Sequence, residues 1–130
     1  MKGDTMLNKS GITKETLGAP TQILANVEHQ FSVGCVVAQA VGTAVGSKKI
    51  AKAGTPIVID YGSLSTAATT GTVGSTANAV LLHDVDVTAG NANGTALIFG
   101  FVNINRLESD VQAKVTAGAN KVANVSFLKL

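Results

Sequence analysis

Tryptophan is missing from the 130 residues, tyrosine occurs once, at Tyr61, and aromatics together make up 4%. Nucleic-acid surfaces combine a basic stripe with rings that stack on bases. Here ten Lys and Arg stand against eight Asp and Glu, spread along the chain for a formal charge of +2, so that class lacks its materials. Cysteine also occurs once, at Cys35. One thiol forms no internal disulfide and no Cys-rich zinc site. It lies in the apolar run Val33-Gly34-Cys35-Val36-Val37, where a thiol packs as a small hydrophobe. Long apolar stretches are lacking too, since nothing approaches the roughly 18 residues of a membrane-spanning helix. Residues 1–17 carry Lys2, Asp4, Lys9, Lys14 and Glu15 without an apolar segment of signal-peptide type. That pattern predicts a chain synthesised in a cytoplasm. Charged residues are sparse, at 14%, yet 45% of the chain is apolar. Disorder needs the opposite balance. A chain of this length fits one domain and buries only about two-thirds of its unfolded surface, so contact with partner subunits adds stability.

Glycine and proline divide what is there. Gly3, Gly11, Gly18 and Pro20 interrupt a polar, weakly patterned start, and residues 1–28 read as an extended, flexible N-terminal arm. Within it, Thr21-Gln22-Ile23-Leu24-Ala25 follows Pro20 and can run extended. Residues 29–130 read as the folded domain. Phe31 to Val41 is rich in valine and predicts a strand, with Phe31, Val33, Cys35 and Val37 on one face. Ala53-Gly54-Thr55-Pro56 predicts a tight turn, because Pro56 holds Thr55 extended and Gly54 can take a positive φ. Ile57 to Ile59 follows as a short strand.

From Tyr61 to His83 no residue is charged, and residues 62–78 are almost entirely Gly, Ser, Thr and Ala. This stretch reads either as a long functional loop or as a weakly marked hairpin. Ala79 to Val87 predicts the next strand, its second half placing His83, Val85 and Val87 opposite Asp84 and Asp86. Ala89 to Gly94 reads as a turn cluster, and Ala96 to Val102 as a central strand in which Gly100 marks a bulge or close approach. A helix capped by Asn105, with Glu108 as capping-box partner, aligns Leu107, Val111 and Val115 on one stripe. Gly118 and Asn120 would end it, and Val122 to Leu128 closes the chain as a strand. The expected fold is mainly β with a minor α component: a sandwich- or barrel-like knob with one short helix near the C-terminus.

Catalytic patterns find little support. Gly42-Thr43-Ala44-Val45-Gly46-Ser47-Lys48-Lys49 resembles a phosphate loop faintly, but its glycines stand too close and Lys49 replaces the magnesium-binding hydroxyl. A glycine-rich strand connection is the better reading. His83, Asp84 and Asp86 form the one polar cluster in an apolar context; two carboxylates are too few for a hard cation, and a catalytic assignment needs further partners in named roles. They read as a solvated face or a subunit boundary. No serine sits in a Gly-x-Ser-x-Gly elbow. The sequence therefore predicts no enzyme, no metal and no cofactor.

Several segments carry a resemblance. His29-Gln30-Phe31-Ser32-Val33-Gly34, Lys52-Ala53-Gly54-Thr55-Pro56, and Leu81-Leu82-His83-Asp84-Val85-Asp86-Val87 followed by Ala96-Leu97-Ile98-Phe99-Gly100-Phe101-Val102-Asn103 resemble, in their order, the phage head decoration and head fibre proteins. The N-capped helix and Val125-Ser126-Phe127-Leu128 complete the pattern, which covers about a hundred residues. The resemblance implies a homotrimer on the outer capsid surface of a virion, with the major capsid protein and further copies of itself as partners. It implies that the arm, here Thr21, Gln22, Ile23, Leu24 and Ala25, binds the capsid. His83, Asp84, Asp86, Phe99 and Phe101 are then subunit-interface candidates. No fibre-like extension follows Leu130 in this sequence, which suits a stand-alone decoration protein or, as an alternative, the base of a head fibre whose shaft is absent. A module binding a host-surface glycan through residues 62–78 is the alternative; its scarcity of aromatic platforms counts against it. Nucleic acid and membrane are not expected partners.

Overall fold

The computed structural model describes residues 22–116 and 121–130. Its strands are β1 (Phe31–Val37), β2 (Thr43–Val45), β3 (Lys48–Ala51), β4 (Pro56–Val58), β5 (Thr69–Thr70), β6 (Ala79–Leu81), β7 (Val85–Asp86), β8 (Ala92–Asn103), β9 (Lys121–Val122) and β10 (Asn124–Leu128). One helix, α1 (Ser109–Thr116), and 3-10 turns at Gln39–Val41 and Ile104–Arg106 complete the described elements. The larger sheet runs β9-β10-β8-β6-β4-β5, with β1 also on β8; β2-β3-β7 make a second, three-stranded sheet. Mainly β, with one short helix, is therefore the fold, as the alternating pattern predicts. No helix among the described residues is long and apolar enough to cross a membrane.

Twelve-residue β8 is the spine. β1 runs antiparallel along it from Ala92 to Phe99, and β10 runs parallel to it from Phe99 to Asn103. Parallel neighbours need a crossover rather than a hairpin, and the stretch that carries α1 provides it. Beside β8, β6 is buried along its whole length. An unbroken apolar run such as Ala79-Val80-Leu81-Leu82 suits a strand covered on both faces. Val80 and Leu82 join Leu107, Val111, Val115, Val125 and Phe127 in one core cluster. Ala79 and Leu81 join Cys35, Val37, Ala51, Val85 and Val87 in another. The larger sheet is thus a middle layer, with the helix on one face and the small sheet on the other.

Several boundaries differ from the sequence-based expectation. The strand expected from Phe31 to Val41 stops at Val37, and Gln39–Val41 coils into a 3-10 turn. The single strand expected over Ala79–Val87 splits, because β6 pairs in the larger sheet and β7 in the smaller. Its alternation still holds, with Val85 and Val87 buried and Asp84 and Asp86 exposed. Asn93-Gly94 lies within β8 and not in a turn. Gly94 is needed there for space: a Cβ would sit 2.8 Å from Val37 Cγ2 and 2.9 Å from Val85 Cγ2. The faint phosphate loop is the β2–β3 hairpin, turning at Gly46 with φ of 63°.

At the C-terminal end, Asn105 belongs to the 3-10 turn, and α1 begins at Ser109. Asn103 is the capping side chain, accepting the Asn105 N–H at 3.1 Å. The stripe Leu107, Val111 and Val115 is buried as expected, while Gly118 and Asn120 lie outside the described residues. The final strand breaks at Ala123, whose φ of 46° turns β9 back onto β10. The uncharged 62–78 stretch is mostly loop. Three residues of it pair, Thr70 with Ile57, Thr69 with Val58 and Ala68 with Val37. Asn78 clamps its far end, its Oδ1 accepting the Ile59 N–H at 2.8 Å and its Nδ2 donating to the Ile59 carbonyl at 2.9 Å.

Filling the space kept by Gly94 should destabilise the fold. Overpacking a close-fitted core costs about 1–3 kcal/mol, so Gly94→Val is expected to lower the unfolding free energy by about that much, read as a lower urea midpoint at unchanged m-value.

Candidate interaction surface

Three of the four phenylalanines lie in the open: Phe31 is 57% exposed, Phe99 47% and Phe101 36%, against 4% for Phe127. The cause is a one-residue irregularity in β8. Phe31 pairs with Phe99, but the next residue, Ser32, pairs with Leu97, leaving Ile98 as the extra residue of a bulge. Before it, Leu97 faces the helix-side core while Ala96 and Ile98 meet the opposite cluster. Beyond it the alternation has moved by one, so Val102, five residues after Leu97, faces the helix side again. Gly100 points the same way: its absent Cβ would stand 3.4 Å from Leu97 Cδ1 and 3.3 Å from Gln30 Cβ. Phe99 and Phe101 therefore turn to the opposite face.

On that face Phe31 stands directly across from Phe99, the geometry in which cross-strand rings meet. The positions of β10 paired with Phe99 and Phe101 are Asn124 and Ser126, and exposed Leu128 follows on the same side. None of these is charged. The result is an uncharged surface at one end of the sheet, beyond the cover of the small sheet, in which the rings of Phe31, Phe99 and Phe101 are flanked by Asn124, Ser126 and Leu128. Phe99 and Phe101 were among the interface candidates read from sequence. Phe31 was not, and its pairing with Phe99 is the missing signal.

The remaining candidates do not join this surface. Asp84 accepts the Ala53 N–H at 2.8 Å, fixing the turn before β4. Asp86 accepts the Thr88 N–H at 2.9 Å, and the Thr88 hydroxyl together with that N–H holds its carboxyl below the usual aspartate range. His83 is half-buried, with its Nδ1 buried and without a hydrogen-bond partner among the described residues. Among the described residues no three His, Cys, Asp or Glu side chains come together to hold a metal. Burial pushes the Cys35 thiol up from its ordinary value, away from the thiolate that nucleophilic chemistry requires.

Of the proposed capsid-binding stretch, Thr21 lies outside the described residues and the rest is bound to the chain's own sheet. Ile23 is 1% and Leu24 4% exposed. Leu24 bridges Val102, the Ala25 N–H donates to the Phe101 carbonyl at 2.8 Å, and the Asn103 N–H donates to the Ile23 carbonyl at 2.8 Å. Gln22 is exposed and accepts the Leu24 N–H at its Oε1. Ile23 and Leu24 are thus core residues, because their side chains close the helix-side cluster. An arm that reaches another molecule has to lie before Gln22.

Among the described residues, opposite charges meet in one place that braces the layers. Lys52 Nζ lies 3.1 Å from Glu108 Oε1 and 3.1 Å from Asp110 Oδ2, tying the turn after β3 to α1. The search of known proteins finds no family model that matches the chain and no curated protein that matches it.

Lys52 holds the Asp110 carboxyl below the ordinary aspartate range. A carboxyl lowered in the folded state stabilises above its unfolded pKa and stops doing so as pH falls through the folded one. Asp110→Asn should therefore be less stable than the parent at neutral pH and converge with it under acid, measured as urea midpoints between pH 7 and pH 2.

Proposed function

We propose that the chain is a phage capsid decoration protein, which binds the outer surface of the expanded head as a homotrimer and stabilises it. The observation that carries this reading is the exposed Phe31–Phe99–Phe101 face. Fully burying one such side chain is worth about 1.5–3 kcal/mol, and contiguous exposed apolar surface on a soluble domain marks a contact with another molecule. Repeated around a three-fold axis, the same patch can bury itself against neighbouring copies in a closed ring. A small chain gains most from such contacts, since its own core is limited.

The resemblance of the segment order to that of decoration proteins supports the capsid as the larger partner. Residues 1–21 precede Gln22, whose carbonyl accepts from Arg106 Nη1 at 3.1 Å, so a tether would leave the domain beside the Ile104–Arg106 turn. Many copies on one particle turn modest single contacts into firm attachment through avidity. Whatever binds the expanded shell more tightly than the unexpanded or disrupted one stabilises it by mass action. Tyr61, exposed beside the polar 62–78 loop, favours a second reading, a glycan-binding surface on the same particle; binding of decorated particles to a glycan array, lost with Tyr61→Ala, would support it.

The combined change Phe99→Ser and Phe101→Ser should leave circular dichroism unchanged while the mass by light scattering falls from trimer to monomer. Removing residues 1–21 should leave a folded trimer that no longer co-sediments with expanded heads. A monomeric parent chain, or undiminished binding by the truncated one, would count against the proposal.

A further inference from the structure

Among the described residues, the outer edge of β1 is open over Ser32 to Gly34. On the side away from β8, the Ala68 N–H donates to the Val36 carbonyl at 2.7 Å and the Ala38 N–H donates to the Ala68 carbonyl at 3.0 Å. Even-numbered residues of this strand therefore aim their backbone groups outward, and past Val36 that leaves the N–H and C=O of Ser32 and Gly34. No strand among the described residues pairs with them. Natural edge strands are guarded by charge, proline or a covering segment. Residues 31–47 contain no charged residue and no proline. Gly34 is exposed, and a Cβ on it would meet nothing within 4 Å. A groove of about 370 Å³ lies at the same place, lined by Gly34, Cys35, Val36, Leu64, Asn93 and Gly94.

We infer that this edge accepts an extended, uncharged segment of the capsid subunit as an added strand, with one of its small apolar side chains in the groove beside Leu64. The inference rests on the decoration reading and names the contact through which the shell is held. Added strands gain affinity from main-chain hydrogen bonds and selectivity from the pockets for alternate side chains. A charged side chain entering here would lose water without gaining an opposite charge, which is costly. A second copy of β1 is a poorer occupant. Identical antiparallel strands pair about a two-fold axis, and a three-fold ring does not close on such a contact.

The test uses the full chain and empty expanded heads assembled from the major capsid protein of the phage that carries its gene. Gly34→Lys places a charge on the edge in open space, and Gly34→Ala is its uncharged control. Gly34→Lys should keep the parent's mass in solution yet bind heads at least tenfold more weakly, while Gly34→Ala binds as the parent does. Amide exchange over residues 31–37, read by mass spectrometry, should slow when the parent binds heads. Equal binding by Gly34→Lys, or unchanged exchange on heads, overturns the inference. Slow exchange already present in the free chain and lost on removing residues 1–21 overturns it by showing that the chain covers its own edge. A parent dimer split by Gly34→Lys overturns it in favour of a second copy. A parent chain that leaves heads bare sinks the decoration reading itself, and this contact with it.

Discussion

The extra residue at Ile98 resets which side chains of β8 face which layer, and much of the molecule follows from that shift. Up to Leu97 the faces of the strand alternate, with Ala92 and Ala96 toward the core under the small sheet and Leu97 toward the helix-side core. Past Ile98 the helix-side core is still there to be filled, and Val102 fills it, while Gly100 faces the same way without a side chain. The opposite face has run out of cover, and Phe99 and Phe101 fall on it. A regular strand of the same sequence would bury both rings under α1 and leave Val102 outside. The bulge converts what would have been core into surface, which is the pattern expected when irregular pairing re-aims side chains for use.

Around this spine the molecule is secured by short polar clamps set at the points where strands change sheet. Asp84 fixes the Ala53 N–H where β6 gives way to β7, Asn78 substitutes for a missing strand partner at Ile59, and Lys52 spans from the small sheet to the helix. Each satisfies a backbone or charged group at a layer boundary, where an unpaired group would be expensive. The carboxylates that look like chemistry in the sequence are therefore occupied in holding turns. This leaves the surface free of a convergent polar pocket around them and directs attention to the aromatic face and the open strand edge.

In the proposed assembly those two features would divide the work of association. The face is a side-chain surface, non-directional and driven by removal of apolar area from water. The edge is a backbone surface, directional and dependent on register. They meet at Phe31, which begins β1 and stands across from Phe99. A trimer formed through the face would thus set the orientation in which each edge is presented to whatever lies beneath, and a coat of such trimers would act on many shell subunits at once.

Composition and local pattern determined the mainly β character, the turn at Gly54, the helical stripe of Leu107, Val111 and Val115, and the burial of Val85 and Val87 opposite their aspartates. These depend on neighbours within a few residues, and so they can be read along the chain. Tertiary structure alone decided that Ala79–Val87 serves two sheets, that Ile23 and Leu24 close the core in place of reaching outward, that Gly94 stands inside a strand, and that Phe31 belongs with Phe99 and Phe101. Each of these turns on a partner far away in sequence: Val102 for Leu24, Val37 for Gly94, Ile98's unmatched place opposite β1 for the aromatic face. A strand's alternation says which residues share a side, but only its pairing and its bulges say which side faces water.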